Sequence, residues 1–346
     1  MANTRELRRR IRSVKNTSQI TKAMQMVAAT KMRKAQLQAE NGKPYTETLH
    51  QSLQRLAQKV NPELNPLFRE NDSNKIGVIL LSTDKGLVGA LNTNLLRTVQ
   101  QFVSGSFRHP RPDRGSNNDD SKMDSRLRGN DSVIFYTLGR KGRQFVAKTG
   151  KDLEADFENQ EVVTFRQAKQ LANLIIKSFL DKQIKEAYLV YPSFISTLRQ
   201  EPKVMKLLPI NSNEMLKELG DKRHYEVRDE SSKAHSGNER SEDSRIKPSN
   251  DSGQARMTDT SSEFLFEPNT ESLLDFVLKH SIETKIYQAL LETKASEHSA
   301  RMISMQNATD NAKELVSDLT LTYNQTRQDA ITRELLEITT AQLALE

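Results

Sequence analysis

The chain has 346 residues, of which 35% are hydrophobic, 5% aromatic and 28% charged, and its formal net charge is +7. This composition favours exposed helices over one large globular core, and the charge indicates an anionic partner: nucleic acid, a lipid surface or an acidic protein face. The absence of cysteine excludes disulfides and thiolate metal sites, and no apolar run reaches the roughly 18 residues of a membrane-spanning helix.

The N-terminal segment, 1–59, predicts a long basic helix, because no Gly or Pro occurs between Asn3 and Gly42. Its apolar residues recur every three or four positions, which predicts one buried face. They are Leu7, Ile11, Val14, Ile20, Met24, Val27, Ala28, Met32 and Ala35. Ten basic residues and one acid lie between Met1 and Gln36, so the helix is cationic. An organelle transit peptide is an alternative, but the periodicity continues into the body of the chain.

The central segment, 75–211, alternates apolar runs typical of buried strands with amphipathic helical stretches. The predicted strands are Ile76–Leu81, Val133–Leu138, Ala187–Tyr191 and Val204–Ile210, and the predicted helices are Leu91–Val103 and Phe165–Leu180. Thr164 and Gln167 have the spacing of a capping box at the start of the second helix. Strand and helix in alternation predict a mainly parallel, doubly wound, Rossmann-like sheet.

Two polar stretches, 105–131 and 228–262, contain too few apolar residues to form a core and are predicted to be disordered inserts. They resemble each other, since residues 124–128 (DSRLR) correspond to residues 243–247 (DSRIK), and each run is followed by an Asn-Asp-Ser triplet. We hypothesise that both are copies of one element inserted in surface loops. Chance similarity between two Ser/Asp/Arg-rich stretches is the alternative.

The C-terminal segment, 269–346, predicts one very long helix, because it contains neither Gly nor Pro. Alternating steps of three and four residues form a seam typical of a left-handed coiled coil. This seam comprises Met302, Met305, Thr309, Ala312, Val316, Leu319, Tyr323, Thr326 and Ala330. It then slips to Ile331, Leu335, Ile338 and Leu345, so the last turns should present a different face. A long helix at each terminus predicts an antiparallel coiled coil, with two separate helices on a globular body as the alternative.

Motifs that would carry chemistry are weak in this sequence. The segments 82–89 and 139–142 follow predicted strands but lack the spacing of a phosphate-binding loop, so both are interpreted as structural turns. The acidic stretch 152–158 is interpreted as solvated surface, and the six histidines have no metal-ligand spacing. The basic helix has no interleaved aromatic residues for stacking on bases. No catalytic, cofactor-binding or metal site is predicted.

Four segments resemble the gamma-chain family of F-type ATP synthases. Residues 11–33 resemble its N-terminal signature, and residues 82–92 resemble a second block of the family, with Val88 where Cys is common. Residues 296–312 and 323–338 resemble the two C-terminal signatures. The resemblance covers almost everything except the two inserts. Residues 339–346 depart from the Ser-Gly-Ala-rich tail in which the family often ends.

The resemblance implies a non-catalytic shaft inside three alpha and three beta subunits, with the α/β domain joining the epsilon subunit and the membrane c-ring. Proton-driven rotation of the ring would turn the shaft and force conformational changes that produce ATP at the beta-subunit sites. The absence of cysteine argues against the plastid form and for a bacterial one. The chain would then be peripheral to the cytoplasmic side of the bacterial inner membrane and touch it only through the c-ring, with no cofactor and no nucleic acid.

The resemblance also places the coupling contacts with alpha and beta. These residues are Met24, Arg301, Gln328, Ile331, Thr332 and Glu337. A basic face would meet acidic loops of beta, and it consists of Arg8, Arg9, Lys15, Lys22, Lys31 and Arg33. Two other classes of protein stay open from the residues alone: a basic coiled-coil protein that binds nucleic acid or a filament, and an α/β nucleotide-binding enzyme with helical arms.

Overall fold

The computed structural model describes residues 2–59, 65–105, 132–210 and 270–343. Helix α1, Ala2–Lys59, has 58 residues, and the C-terminal helix, Thr270–Leu343, has 74 residues. Hydrogen bonds join Thr21 to Thr309 at 2.7 Å and Tyr45 to His280 at 2.6 Å, so residue numbers rise along one helix as they fall along the other. The predicted antiparallel coiled coil is confirmed.

Between the two long helices the chain alternates strands and helices. A 3₁₀ turn at Pro66–Phe68 precedes them. The elements are β1 (Lys75–Leu81), α2 (Leu91–Val103), β2 (Ser132–Leu138), α3 (Arg140–Thr149), β3 (Asp152–Phe157), α4 (Phe165–Leu180), β4 (Glu186–Phe194) and β5 (Gln200–Leu208), after which the C-terminal helix is α5. The strands form one sheet in the order β3-β2-β1-β4-β5, parallel except for the antiparallel pair β4–β5.

Alternate side chains of each central strand point into two separate cores, as the period of two in a strand requires. On one face Val78 and Leu80 pack with residues of α2 and α3, including Phe102 and Val146. On the other face the alternate strand residues pack with α4, the end of α1 and the start of α5. Helices therefore cover both faces, and the predicted doubly wound sheet is confirmed. Because α1 and α5 share the second core, the sheet is built directly onto the base of the coiled coil.

The edge strand β3 is a feature that the sequence interpretation missed. The stretch interpreted as solvated surface has strict alternation, with Leu153, Ala155 and Phe157 between acidic residues, which is the pattern of a half-exposed strand. Asp156 is not merely solvated, because it accepts from Thr137 at 2.8 Å and from Arg143 at 2.9 Å. Charged residues on an edge strand discourage pairing with another chain.

The starts of two helices differ from their predictions. Helix α4 begins after Thr164 as predicted, but the Thr164 side chain makes no capping bond. Gln167 instead donates to the Glu158 carbonyl at 2.8 Å, so the predicted capping box is wrong. The turn at 139–142 opens helix α3, which was not predicted. The insert 228–262 lies outside the described residues, as does 105–131 apart from Gly105.

Within the described ranges, no helix has a stretch that is both long and apolar enough to cross a membrane.

We expect Gly139→Ala to destabilise the α/β domain. Gly139 has φ +100°, and a Cβ there would lie 2.3 Å from the Ser82 carbonyl oxygen. The backbone strain and the clash together should lower the free energy of unfolding by at least about 3 kcal/mol, measured by urea denaturation. The matched control is Gly150→Ala, because Gly150 has φ +63° with nothing within 4 Å of the added Cβ. It should cost only about 1 kcal/mol, and equal losses in the two variants would contradict this account.

Candidate partner-contact surface of the rod

The two long helices meet along a seam in which every third or fourth residue faces the other helix. On α5, all nine predicted seam residues are buried or half-buried, so the prediction for this helix is confirmed. On α1, the positions at the same alternating steps are also all buried or half-buried. They are Leu7, Ile11, Val14, Ser18, Thr21, Gln25, Ala28, Met32, Ala35, Ala39, Gly42, Thr46, Leu49, Leu53 and Leu56. We call residues 2–30 of α1 and 305–343 of α5 the rod.

Three residues predicted for the buried face of α1 lie outside the seam, and two of them are exposed, whereas Met24 is half-buried. Ile20 is 61% exposed and Val27 is 54% exposed, so those two predictions are wrong. The reason is register: continuing the steps of three and four from Val14 brings Ser18 and Thr21 to the seam, and leaves Ile20 one position away. Hydrophobicity alone was therefore a poor guide where polar residues occupy the interface.

Among the described elements, none lies beside the last turns of α5. Because the helices are antiparallel and Thr21 lies opposite Thr309, Ala2 at the start of α1 is level with Gln328 of α5. Residues 331–343, which we call the tip, therefore extend beyond α1 by roughly 20 Å at 1.5 Å per residue. Ile331, Leu335, Leu336 and Ile338 are 49–62% exposed there. The predicted change of face at the end of the seam is seen in this exposed apolar set, although Leu345 lies outside the described residues.

Four of the six predicted coupling residues lie together at this end of the rod. Gln328, Ile331, Thr332 and Glu337 are all exposed, and the Thr332 hydroxyl donates to the Gln328 carbonyl at 2.9 Å. Met24 is half-buried lower on the rod, three residues beyond Thr21. The structure therefore groups four predicted residues at the far end of the rod, three of them in the tip, and separates Met24 from them by most of the rod's length.

The sixth predicted residue, Arg301, lies at the base of the rod in a network within the chain. Its side chain is 12% exposed, and its guanidinium donates to Glu297 Oε1 at 2.8 Å and contacts the Gly86 carbonyl oxygen at 3.5 Å. Gly86 belongs to the loop between β1 and α2, so Arg301 ties that loop to α5. The contacts of this guanidinium in the described residues are thus internal.

Buried charge surrounds Arg301. Glu297 and Lys294 have side chains that are 7% and 9% exposed, and Lys294 Nζ lies 3.8 Å from Glu297 Oε2. Within the described ranges, Glu297 Oε2 accepts no hydrogen bond. Burial lowers the pKa of Lys294, and the Glu297 carboxylate opposes that shift. Burial also lowers the pKa of His298 to about 4, with further lowering by Arg301 and Lys294.

Three of the six residues predicted for the basic face form a stripe, and the other three lie outside it. Arg8, Lys15 and Lys22 are exposed and separated by seven residues, so they lie one above another along the rod. Arg9 and Arg33 are also exposed. Lys31 is half-buried and forms an ion pair with Glu161, and that contact lowers the pKa of the Glu161 carboxyl. Lys31 therefore joins α1 to the α/β domain.

Sequence reasoning missed the small polar residues that fasten α5 to the sheet. Ser296 and Ser299 are fully buried and donate to the carbonyls of Pro192 at 3.0 Å and Thr197 at 2.6 Å. Ser193 donates to Glu292 at 2.8 Å. The available signal was the two serines three residues apart, which lie on one face of a helix. These bonds fix the rotation of α5 relative to β4 and the turn that follows it.

We predict that acid weakens the fold through His298. Its pKa is about 4 when folded and about 6.5 when unfolded, so between these values the unfolded chain binds a proton that the folded chain does not. Stability should therefore fall as pH drops from 6.5 to 4, by on the order of 2 kcal/mol, and this contribution should level off below pH 4. Urea denaturation at several pH values measures the slope. His298→Gln should have a shallower slope than the native chain, and identical slopes would exclude the histidine as the cause.

Comparisons with known proteins agree with this architecture. The protein family described as ATP synthase matches residues 3–345. The ATP synthase gamma chain of Methylacidiphilum infernorum (isolate V4) is 38% identical over 100% of both chains, and that of Opitutus terrae is 36% identical over 99% of both.

Solved structures share the fold at lower identity. A chain from the Euglena gracilis mitochondrial ATP synthase, in a structure of OSCP, F1 and c-ring, has a TM-score of 0.58 at 16% identity, with 99% of this chain and 95% of that chain covered. A chain from the rotor of the same enzyme has a TM-score of 0.54 at 18% identity, with 95% and 99% covered. The match to the family over nearly the whole chain, together with full-length similarity to these two bacterial gamma chains, settles the relationship: this chain belongs to the ATP synthase gamma chain family.

Proposed function

We propose that this chain is the central-stalk rotor subunit of an F-type ATP synthase, which couples ion-driven rotation of a c-ring to ATP synthesis at the beta-subunit sites. The observation that carries the proposal is the rod: an antiparallel coiled coil whose base is built into the α/β domain and whose described end is a single helix. Membership of the gamma chain family supports the same function.

The rod suits a mechanical role because its two ends differ. At the base, the apolar core, the Lys31–Glu161 ion pair and the contact of Arg301 with the Gly86 carbonyl hold the helices to the α/β domain. At the other end the tip exposes apolar and polar side chains, with no neighbour from the described part of this chain. A rotor shifts the conformation of its surroundings only through contacts that differ between orientations. An asymmetric tip provides such contacts to three alpha and three beta subunits in turn.

The contact residues follow from this placement. Gln328, Ile331, Thr332 and Glu337 would meet alpha and beta near the tip, and Met24 would meet them along the rod. The stripe of Arg8, Lys15 and Lys22 would face acidic surfaces of beta, together with Arg9 and Arg33. Arg301 and Lys31 have internal partners, so we assign them to holding the rod on the α/β domain in addition to any contact with beta.

The partners at the base would be the epsilon subunit and the c-ring, and the chain would reach the membrane only through that ring. Support comes from the solved structures with this fold, which are described as containing F1, rotor and c-ring components of an ATP synthase. We place the complex at the bacterial inner membrane, on the cytoplasmic side. The bacterial source of the similar gamma chains supports this location.

We further propose that the chain takes part in ATP synthesis without performing the chemistry. In the buried cluster around Arg301, Glu297 pairs with Lys294 and Arg301 within α5, and Arg301 also contacts the Gly86 carbonyl of the loop after β1. That arrangement suits a mechanical joint.

The same proposal divides the chain into four parts. They are an N-terminal helix 1–59, an α/β domain 75–211 with its insert, a second insert 228–262 and a C-terminal helix 269–346. Family membership gives no support to a nucleic-acid- or filament-binding protein.

We expect the double variant Gln328→Ala with Glu337→Ala to impair coupling while leaving the chain folded. Both residues are exposed, so their removal should not change the melting temperature. ATP hydrolysis after reconstitution with alpha and beta subunits should fall roughly tenfold, the effect of losing one or two interfacial hydrogen bonds. The control is Gln144→Ala with Glu154→Ala on the α/β domain. Full activity of the Gln328→Ala, Glu337→Ala variant would remove these residues from the coupling contacts.

Charge reversal of the basic stripe should weaken assembly in a salt-dependent way. The triple variant Arg8→Glu, Lys15→Glu and Lys22→Glu replaces an attraction to acidic beta surfaces by a repulsion that ions screen over about 10 Å at 0.1 M salt. We expect slower association with alpha and beta, with the defect largest at low ionic strength. A triple reversal of Lys148, Lys151 and Lys182 changes the net charge equally and serves as the control. Equal defects in both variants would argue against a specific role for the stripe.

A further inference from the structure

One layer of the coiled coil carries a polar bond across the seam. Thr21 and Thr309 lie opposite each other with their hydroxyl oxygens 2.7 Å apart. Thr309 is 2% exposed and Thr21 is half-buried. In this position of an antiparallel pair an apolar residue gives more stability, and a buried polar residue is known to select one alignment over others.

The two hydroxyls form a directed chain of hydrogen bonds. The Thr309 hydroxyl lies 2.7 Å from the Met305 carbonyl, and the Thr21 hydroxyl lies 3.0 Å from the Ser18 carbonyl. Each hydroxyl has one proton, so one threonine donates across the seam and the other donates to its own helix. The shorter distances favour Thr21 donating to Thr309, which donates to Met305. Either direction requires both hydroxyls in the same layer.

The apolar layers further along the rod do not select an alignment by themselves. Val14 lies seven residues before Thr21 on α1, and Val316 lies seven residues after Thr309 on α5. The next seam residues beyond these two valines are Leu, Ile or Tyr. If α1 were displaced by seven residues, Val14 would face Tyr323 or Thr309, and apolar contact would persist in most layers. A hydrophobic seam of this kind tolerates such shifts, whereas a hydroxyl pair does not.

The threonine pair lies just beyond the point where the α/β domain contacts the rod. A Cβ added at Gly89 would lie 3.1 Å from the Ser304 hydroxyl oxygen, so the loop after β1 reaches α5 at residue 304. Thr309 follows five residues later, just over one turn further along. The polar layer therefore lies where the rod leaves the domain that holds its base.

We propose that the Thr21–Thr309 pair is a register pin, which fixes the axial alignment of α1 and α5 in the rod and thereby the height of the tip above the end of α1. Both threonines are positioning residues that act through the coiled coil. A displacement of one heptad would move one helix past the other by about 10 Å. The inference rests on the packing of this chain and holds whichever partners surround the rod.

The absence of native cysteine makes the alignment measurable by engineered disulfides. Val14→Cys with Val316→Cys reports the observed register, and Val14→Cys with Tyr323→Cys reports a displacement of seven residues. Each pair is introduced into the full chain with both threonines intact, and into chains carrying Thr21→Val and Thr309→Val, singly and together. In a glutathione buffer, we measure how much disulfide the displaced pair forms relative to the native pair, and compare this share between chains with and without the threonine substitutions.

We expect the displaced pair to gain roughly tenfold relative to the native pair when either threonine is replaced, the effect of losing one buried hydrogen bond. The double variant should gain no more than the single ones, because the bond needs both hydroxyls. The urea midpoint should stay the same or rise, since valine is a better seam residue. A larger displaced share without a lower urea midpoint distinguishes register selection from a merely structural role.

The matched control is Thr326→Val, a seam threonine on the same helix whose hydroxyl donates to the Thr322 carbonyl at 2.8 Å. It should leave the displaced share unchanged. An unchanged share in the Thr21 and Thr309 variants would overturn the proposal, as would an equal gain in the Thr326 control. The disulfide readout needs no partner subunit, so the register pin and the proposed rotor function fail separately.

Discussion

The contact between α1 and α5 is the constraint on which the rest of the structure depends. Neither helix is apolar enough to be stable as an isolated rod, since each has one seam and several exposed charged faces. Their pairing is possible because the chain between them folds into a sheet that returns α5 to the place where α1 ends. The base of the pair then becomes part of a globular core, whereas the far half is covered only by its partner helix among the described elements.

Polar contacts are concentrated where these two environments meet. At the base, Arg301 and Lys31 join the helices to loops of the α/β domain, and Ser296 and Ser299 fix the rotation of α5 against β4. Further along, Thr21 and Thr309 bond across the seam. Apolar packing supplies most of the stabilisation in such an assembly, but it has little directional preference. The directional bonds determine which way the rod faces.

The sequence predicted those parts of the fold that periodicity controls. The α5 seam was predicted in full because its steps of three and four are unbroken by Gly or Pro. Two residues predicted for the buried face of α1, Ile20 and Val27, are exposed, because polar residues take the interface positions beside them. Strand β3 was not predicted because its exposed side is acidic, although Leu153, Ala155 and Phe157 alternate with the acidic residues as in a strand.

The candidate contact surface was less predictable from residues alone. Exposure at Gln328 and Glu337 followed from their place off the seam. The contact of Arg301 with the loop that contains Gly86 did not, because that loop is far away in sequence. Long-range packing of this kind leaves no periodic trace, so a charged residue on a helix has the same local pattern whether it faces solvent or a distant loop.

The end of the rod is a single helix, whereas the rest of its length is a pair of helices. Two paired helices hide part of each surface from the surroundings, but a single helix presents its full circumference. With about 100° between successive residues, Ile331, Leu335 and Ile338 point within a narrow sector, while Glu334 and Glu337 point to an adjacent one. The described end of the rod therefore has an apolar side and an adjacent acidic side. Any ring of repeated subunits around it would meet different chemistry at each position at the same instant.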